Sequence, residues 1–491
     1  MGHGRTLKAA ILGSGTLLVK FTALVSAVVL SRIFTKADYG TYKQVFLSYQ
    51  FVSPLLALGL PSSLYYFLPG NRKNGRSILS GNIVLALAMG AIFALIMVLG
   101  ANRLLAKRFS NPDLSPLLLV LIPYALVALP ISSVGPCLIS CNRVKTLVAF
   151  NVASRIVVFA GAIGLVLIWR TTFAAVFGVV VAEILLFFPA LFLMYRSVDG
   201  GSWQPTYQNM WAQLKYGVPL GLASLAGMTT LGLDKVIVSS MRTPEEFAVY
   251  VNGAIEIPFI GVITGSVMSV LTPDFSEMYQ RGEYEDILTL WRRAMVKCSL
   301  LILPTMVFLF VMAPQAMRVL FSAEYAESAR PFRIFLLALP VRITSYGSVL
   351  KATGRTKLIL WRSLVELILC IFLSIALIKI AGILGAAAST VLVLYIYSVP
   401  FNIVSISKIL KIKIKNIMPV AALARVMFAS IAAGIVLLLI PLLKPLGDLL
   451  TLVILGALYC IVTLLLFACL NLIDPKNILY SIRKKLVFKQ S

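Results

Sequence analysis

Residues 77–100 read SILSGNIVLALAMGAIFALIMVLG, 24 residues without one charge. An α-helix needs about 20 apolar residues to cross the hydrocarbon core of a bilayer. Arg72, Lys73 and Arg76 precede the run, and Arg103, Lys107 and Arg108 follow it. The apolar residues run continuously, whereas barrel strands alternate. The stretch therefore reads as a transmembrane helix with basic ends.

The same pattern extends in both directions. Of 491 residues, 60% are hydrophobic, and the mean hydropathy is +0.96. A soluble chain would be nearer 45–50% apolar. The excess is spread along the whole chain, so no large soluble domain can be cut from it. The spans fall at 7–30, 44–68, 77–100, 114–138, 146–169, 172–195, 211–233, 248–272, 296–313, 330–350, 358–379, 383–406, 419–441 and 447–470. The fold class is all-α, a polytopic membrane protein of about fourteen transmembrane helices. The first run contains Lys20 and has no small-residue cleavage site, so it reads as a retained span.

The net charge is +26, from 44 Lys and Arg against 18 Asp and Glu. The basic residues cluster at the ends of apolar runs, which argues for membrane orientation and against nucleic-acid binding. Anionic membrane lipids are a secondary partner. With residues near a span's end counted on the adjoining side, 26 Lys and Arg lie on the side of the termini, 14 on the other and 4 deeper within spans. Both termini are therefore expected in the cytoplasm of a bacterial inner membrane. The only histidine is His3, which removes histidine catalysis and histidine metal sites from consideration. Six cysteines form no CxxC pair and read as small apolar residues. No metal or cofactor site is expected.

An internal repeat organises the spans. TKADYGTY (35–42) resembles TPEEFAVY (243–250) at an offset of 208. LISCNRVK (138–145) resembles LKATGRTK (350–357), and Phe109-Ser110 resembles Phe321-Ser322, both at 212. The chain then divides into an N-lobe of six spans (1–200), a C-lobe of six (201–410), and two added spans with a basic tail (411–491). A six-span unit returns to its starting side, so the halves are a parallel repeat, a transporter architecture.

Several short stretches carry a family resemblance. They are Arg32-Ile-Phe with Asp38-Tyr-Gly-Thr-Tyr42, Lys215-Tyr-Gly-Val-Pro-Leu220, and Leu233-Asp-Lys235. Leu320-Phe-Ser-Ala-Glu-Tyr-Ala326 with Ser328, and Thr353-Gly-Arg-Thr-Lys357, complete the set. Over roughly residues 5–410 the chain resembles the Wzx-type polysaccharide (O-antigen) flippases. These belong to the multidrug/oligosaccharidyl-lipid/polysaccharide (MOP) exporter superfamily. Ala323 stands where the family pattern has glycine. The resemblance implies two six-helix lobes and alternating access. It implies transfer of an undecaprenyl-diphosphate-linked oligosaccharide to the outer leaflet. Polysaccharide polymerase and chain-length machinery would be partners of a monomeric transporter. The thirteenth and fourteenth spans also occur in lipid II flippases, which leaves the substrate open between the two.

Such a ligand asks for cations at the diphosphate, polar and aromatic groups at the sugars, and an apolar groove for the tail. Ionisable groups within spans are costly and face the bundle interior. Lys20, at mid-depth of the first span, is the leading candidate for the diphosphate. Arg32 and Lys235 lie near the ends of the first and seventh spans, with Asp234 beside Lys235 as a local partner or gate. Asn252 and Glu256, one turn apart on the eighth span, suit sugar hydroxyls or a coupling cation. Gln44 and Ser48 bring polar groups to the second span, for glycan or for helix packing. Arg155, Glu183, Arg342, Glu366 and Arg425 read mainly as structural pairs. Pro219 and Pro258 are candidate hinges, and 277–297 reads as an amphipathic interfacial helix. Coupling to protons or sodium stays open.

Two further functions compete. A drug/cation antiporter would need acidic clusters in its cavity, and the first span offers a lysine instead. A membrane glycosyltransferase or polymerase, the enzymatic alternative, would need a large catalytic loop. The longest loop here is about two dozen residues and no loop holds a DxD motif.

Overall fold

A computed structural model describes residues 21–70 and 72–472. They form helices and turns, with no β-strand among them. The chain starts with α1 (Phe21–Ile33), α2 (Lys36–Ala57), α3 (Leu60–Gly70) and α4 (Gly75–Ile96). Next come α5 (Asn102–Arg108), α6 (Leu114–Val120), α7 (Ile122–Ile131), α8 (Val134–Ser140), α9 (Val144–Trp169) and α10 (Thr172–Ser197). Then follow α11 (Tyr207–Met241), α12 (Pro244–Gly253), α13 (Pro258–Arg281) and α14 (Tyr284–Val311). Short helices α15 (Ala313–Leu320), α16 (Ala329–Leu336) and α17 (Tyr346–Ala352) lead to α18 (Thr356–Val393). The chain closes with α19 (Val399–Leu410), α20 (Val420–Ala433), α21 (Ile440–Leu443) and α22 (Asp448–Cys469).

Among the described residues, nine stretches are long and apolar enough to cross a membrane. One of them, Lys357–Leu410, has 54 residues. At 1.5 Å per residue that is about 80 Å, far beyond one bilayer. It breaks at Ala381-Gly382, where Gly382 takes a left-handed φ of 59°, and so supplies two crossings. The shorter apolar helices Phe21–Ile33 and Phe259–Met268 fall where the first and eighth spans are expected.

The repeat is present in the backbone. Thr35 caps α2 by accepting from the Asp38 N–H, and Thr243 caps α12 by accepting from the Glu246 N–H. Both caps fix where a helix begins, and at Thr243 the Glu246 carboxylate accepts back from the Thr243 N–H, closing a capping box. After α8 the Arg143 N–H donates to the Leu138 carbonyl, and after α17 the Arg355 N–H donates to that of Leu350. Asn142 (φ 58°) and Gly354 (φ 72°) supply the left-handed residue in these matching helix ends. Arg170 (φ 49°) and Gly382 (φ 59°) end helices at the same 212 offset.

Contacts gather the chain into two compact units: residues up to Asn252 with Leu360–Val393, and Gly253–Ile359 with the chain from Leu394 onward. In the first, α9 and α10 pack as a close pair. A Cβ at Gly161 would meet the Gly178 carbonyl oxygen, and the converse holds for Gly178. Small residues are what let membrane helices approach this closely. The core joins α2, α4, α6, α7 and α10 through Tyr49, Phe93, Leu118, Ala125 and Val176, all buried. A polar staple ties α11 to its neighbours. Gln213 accepts from Asn82 (2.8 Å) and Ser63 (3.2 Å) and donates to the Ile78 carbonyl (3.0 Å). Ser133 donates to Asn82 (2.7 Å). All four side chains are fully buried, and mutual satisfaction is what makes such burial tolerable.

In the second unit, buried Trp291 on α14 donates to Thr344 (2.7 Å). Arg318 makes a bidentate pair with Asp448 (2.7 Å for each bond), tying α15 to the start of α22. Met312, Ala433, Leu455 and Tyr459 build a core among α20, α22 and their neighbours.

Three expectations change. Segment 330–350 is no single span: α16 ends at Leu336, and extended Thr344 precedes α17. Residues 284–297 are amphipathic as expected, with Leu288, Trp291 and Met295 buried, but they are the first half of α14. Gly282 (φ 78°) makes the turn from α13. Pro258 opens α13, a position proline suits without kinking a helix.

Candidate functional site

Thr35 decides the site. By starting α2 at Lys36, it puts Lys43 two turns inside a membrane helix, about 10 Å from its end. Lys235 lies six residues before the end of α11. Both lysines are half-buried, on helices that pack against each other. Neither has a carboxylate at ion-pair distance among the described residues.

Aromatic and amide groups complete the surroundings. The Lys43 ammonium sits 5.1 Å from the centre of the Tyr39 ring, a cation–π contact. The fully buried Tyr39 hydroxyl donates to Asn252 Oδ1 (3.0 Å). Asn252 Nδ2 is buried and has no hydrogen-bond partner. The Tyr250 hydroxyl donates to the Asp234 carboxylate, so the carboxylate beside Lys235 is already engaged. Two lysines and a free amide donor leave the cluster with a surplus of positive charge and donors, suited to an anion with several oxygens.

Of the residues singled out from sequence, Asp234, Lys235 and Asn252 come together here. Lys20 lies outside the described residues. Arg32 is exposed in the last turn of α1. Gln44 is fully buried, and its Oε1 accepts from Asn111 (2.6 Å). Ser48 donates to the Gln44 carbonyl (2.9 Å). The Ser48 donor thus stays within its own helix, while Gln44 Nε2 is buried without a hydrogen-bond partner. Glu256 lies past the end of α12, so it shares no helix face with Asn252. It pairs instead with Arg342 (2.7 Å). Arg155 and Glu183 face a common cavity of about 400 Å³, lined also by Tyr124, Asn151 and Ser154. Arg362 and Glu366 pair within α18 at 3.6 Å.

Lys43, Tyr39 and Tyr250 escaped the sequence reading. An apolar window opens the second span at residue 44, which leaves Lys43 in a loop. The capping motif Thr35-x-x-Asp38 was the signal that moves it into the helix.

Comparison with known proteins follows this geometry. A family described as polysaccharide biosynthesis proteins matches residues 29–330, more than half of the chain. No curated protein matches in sequence. The lipid II flippase MurJ, in an inward closed conformation, superposes with a TM-score of 0.73 at 16% identity, over 95% of this chain and 99% of MurJ. An inward-facing multidrug resistance MATE transporter of the MOP superfamily gives 0.64 at 14%, over 82% and 99%. A MOP superfamily transporter from Pyrococcus furiosus gives 0.57 at 15%, over 83% and 96%. At such identities the likeness speaks for the fold. The chain is thus a multi-pass membrane protein with the MurJ/MATE fold, and it belongs to the polysaccharide biosynthesis protein family.

Proposed function

We propose that this chain is an alternating-access flippase of the bacterial inner membrane, with both termini in the cytoplasm. It moves an undecaprenyl-diphosphate-linked oligosaccharide, a polysaccharide repeat unit, to the outer leaflet. One observation carries the reading: half-buried Lys43 lies over the Tyr39 ring, whose hydroxyl holds an Asn252 with an unpartnered amide, and α11, which carries half-buried Lys235, packs against the same helix α2. Like charges repel strongly where the dielectric is low. A diphosphate seated between them relieves that repulsion. In this reading Lys20 offers a cation on the first span and Arg32 one at its end, while Gln44 and Glu256 line the glycan path. The two six-helix lobes rock about the path, and a proton or sodium ion drives them. Polymerase and chain-length machinery receive the product from a monomer.

Membership in a polysaccharide biosynthesis family favours a repeat unit, whereas a fold shared with a lipid II flippase keeps lipid II as the second reading. Both carry a polyprenyl diphosphate, so the cationic pair serves either. Deletion of the gene separates them. We expect viable cells that lose surface polysaccharide and accumulate the lipid-linked repeat unit inside. Lysis with accumulated lipid II would transfer the assignment to cell-wall precursor. Unchanged polysaccharide and unchanged wall would end both.

A further inference from the structure

A second cavity in the same unit has a different chemistry. It holds about 470 Å³ among α2, α5, α11 and α18. Leu47, Phe51, Val52, Phe109, Ile237 and Ile375 form most of its wall. Its two serines have their donors engaged, Ser48 to the Gln44 carbonyl (2.9 Å) and Ser240 to that of Val236 (2.7 Å). Only their acceptor lone pairs remain along an otherwise apolar wall, few partners for water. The remaining polar lining group is Arg108, exposed at the last residue of α5, with exposed Lys107 beside it. That places a guanidinium at the end of the span Gly75–Arg108 and an apolar slot beside it.

We infer that this cavity holds one acyl chain of an anionic phospholipid, whose phosphate meets Arg108. Size narrows the occupant: an apolar slot of about 470 Å³ suits a single ordinary acyl chain rather than the whole of a carrier lipid's far longer polyprenyl chain. Charge selects the headgroup, because Arg108 and Lys107 favour an anion and reject a cationic lipid. The site adjoins the cationic pair, since Val236 and Ile237 directly follow Lys235 on α11. A seated chain buttresses the turn that carries Lys235.

Native mass spectrometry of the delipidated full chain in detergent tests this. Dipalmitoyl phosphatidylglycerol should add as one tight adduct, at least tenfold tighter than dipalmitoyl phosphatidylcholine. Ser240→Leu fills the slot and should weaken that adduct at least tenfold. Val52→Phe fills it from α2 and serves if the first variant fails to fold, with elution profile and unfolding temperature as the check on folding. Arg108→Gln should abolish the preference for phosphatidylglycerol. The inference is overturned if folded slot-filling variants keep wild-type affinity. It is overturned equally if the two phospholipids bind alike, or if undecaprenyl phosphate displaces phosphatidylglycerol at equal concentration.

Discussion

Lys43 and Lys235 each lie one side chain away from an unremarkable explanation. A lysine near a helix end can snorkel its ammonium to the interface, and each stands only six or seven residues from one. Against this stand the Tyr39 ring 5.1 Å from the Lys43 ammonium and the packing of α2 on α11, which carries Lys235. A snorkelling lysine would reach toward water, whereas Lys43 is held over a buried ring. Replacing either with glutamine removes a charge-assisted contact worth about 1.5–3 kcal/mol, or roughly tenfold to a hundredfold in affinity for a diphosphate. Lys43→Gln and Lys235→Gln should each lower polysaccharide export in complemented deletion cells by about that factor at limiting expression. Lys43→Arg should restore most of it. Immunoblots of membranes must show equal insertion. Wild-type export by the Lys43→Gln, Lys235→Gln double variant would remove the pair from the transport path. Asn252 sharpens the same point: its Oδ1 is held by Tyr39 while its Nδ2 waits for an acceptor.

At the level of elements, apolar runs gave helices 75–96, 144–169, 172–197 and 448–469 almost directly. Hydropathy there is high along the whole run, broken only by Arg155 in 144–169 and Glu183 in 172–197 among charged residues well inside the helices. It failed where a helix outruns its apolar part. Lys36–Lys43 and Tyr284–Lys297 are polar extensions of membrane helices, and their starts are set by a cap and a glycine turn. It failed again at 330–350, where composition suits a span but Pro340 and extended Thr344 divide it. The buried staple of Ser63, Asn82, Ser133 and Gln213 was also illegible, because its members lie up to 150 residues apart. The small-residue contact of α9 and α10 gives a test at this scale. A Cβ at Gly178 would lie 2.1 Å from the Gly161 carbonyl oxygen, and backbone cannot step aside as a side chain can. Gly178→Leu should therefore cost more than the ~1–3 kcal/mol of ordinary overpacking. A lower unfolding temperature in detergent, or loss of folded protein, is the expected readout. Gly164→Leu is the control, since nothing lies within 4 Å of its Cβ position. Equal stability of the two variants would show that α9 and α10 are not in contact through these glycines.

For the whole molecule, the question is how the two halves lie in the membrane. Parallel halves put equivalent loops on one face, and inverted halves put them on opposite faces. The left-handed helix ends at Arg170 and Gly382 are equivalent by the 212 offset. Thr171 and Ala381 beside them are both exposed. With six spans per half, both loops should face away from the cytoplasm, while the exposed Ser202 between α10 and α11 should face it. The bias of 26 Lys and Arg against 14 sets that direction. A membrane-impermeant maleimide on intact spheroplasts reads this out on single cysteine variants, in a chain whose six native cysteines are replaced by serine or alanine. Thr171→Cys and Ala381→Cys should both label, and Ser202→Cys should label only after lysis. Opposite behaviour of Thr171→Cys and Ala381→Cys would make the repeat inverted. Labelling of Ser202→Cys in intact cells would reverse the orientation, and the cationic pair would then open toward the cytoplasm, where it would receive the diphosphate rather than release it.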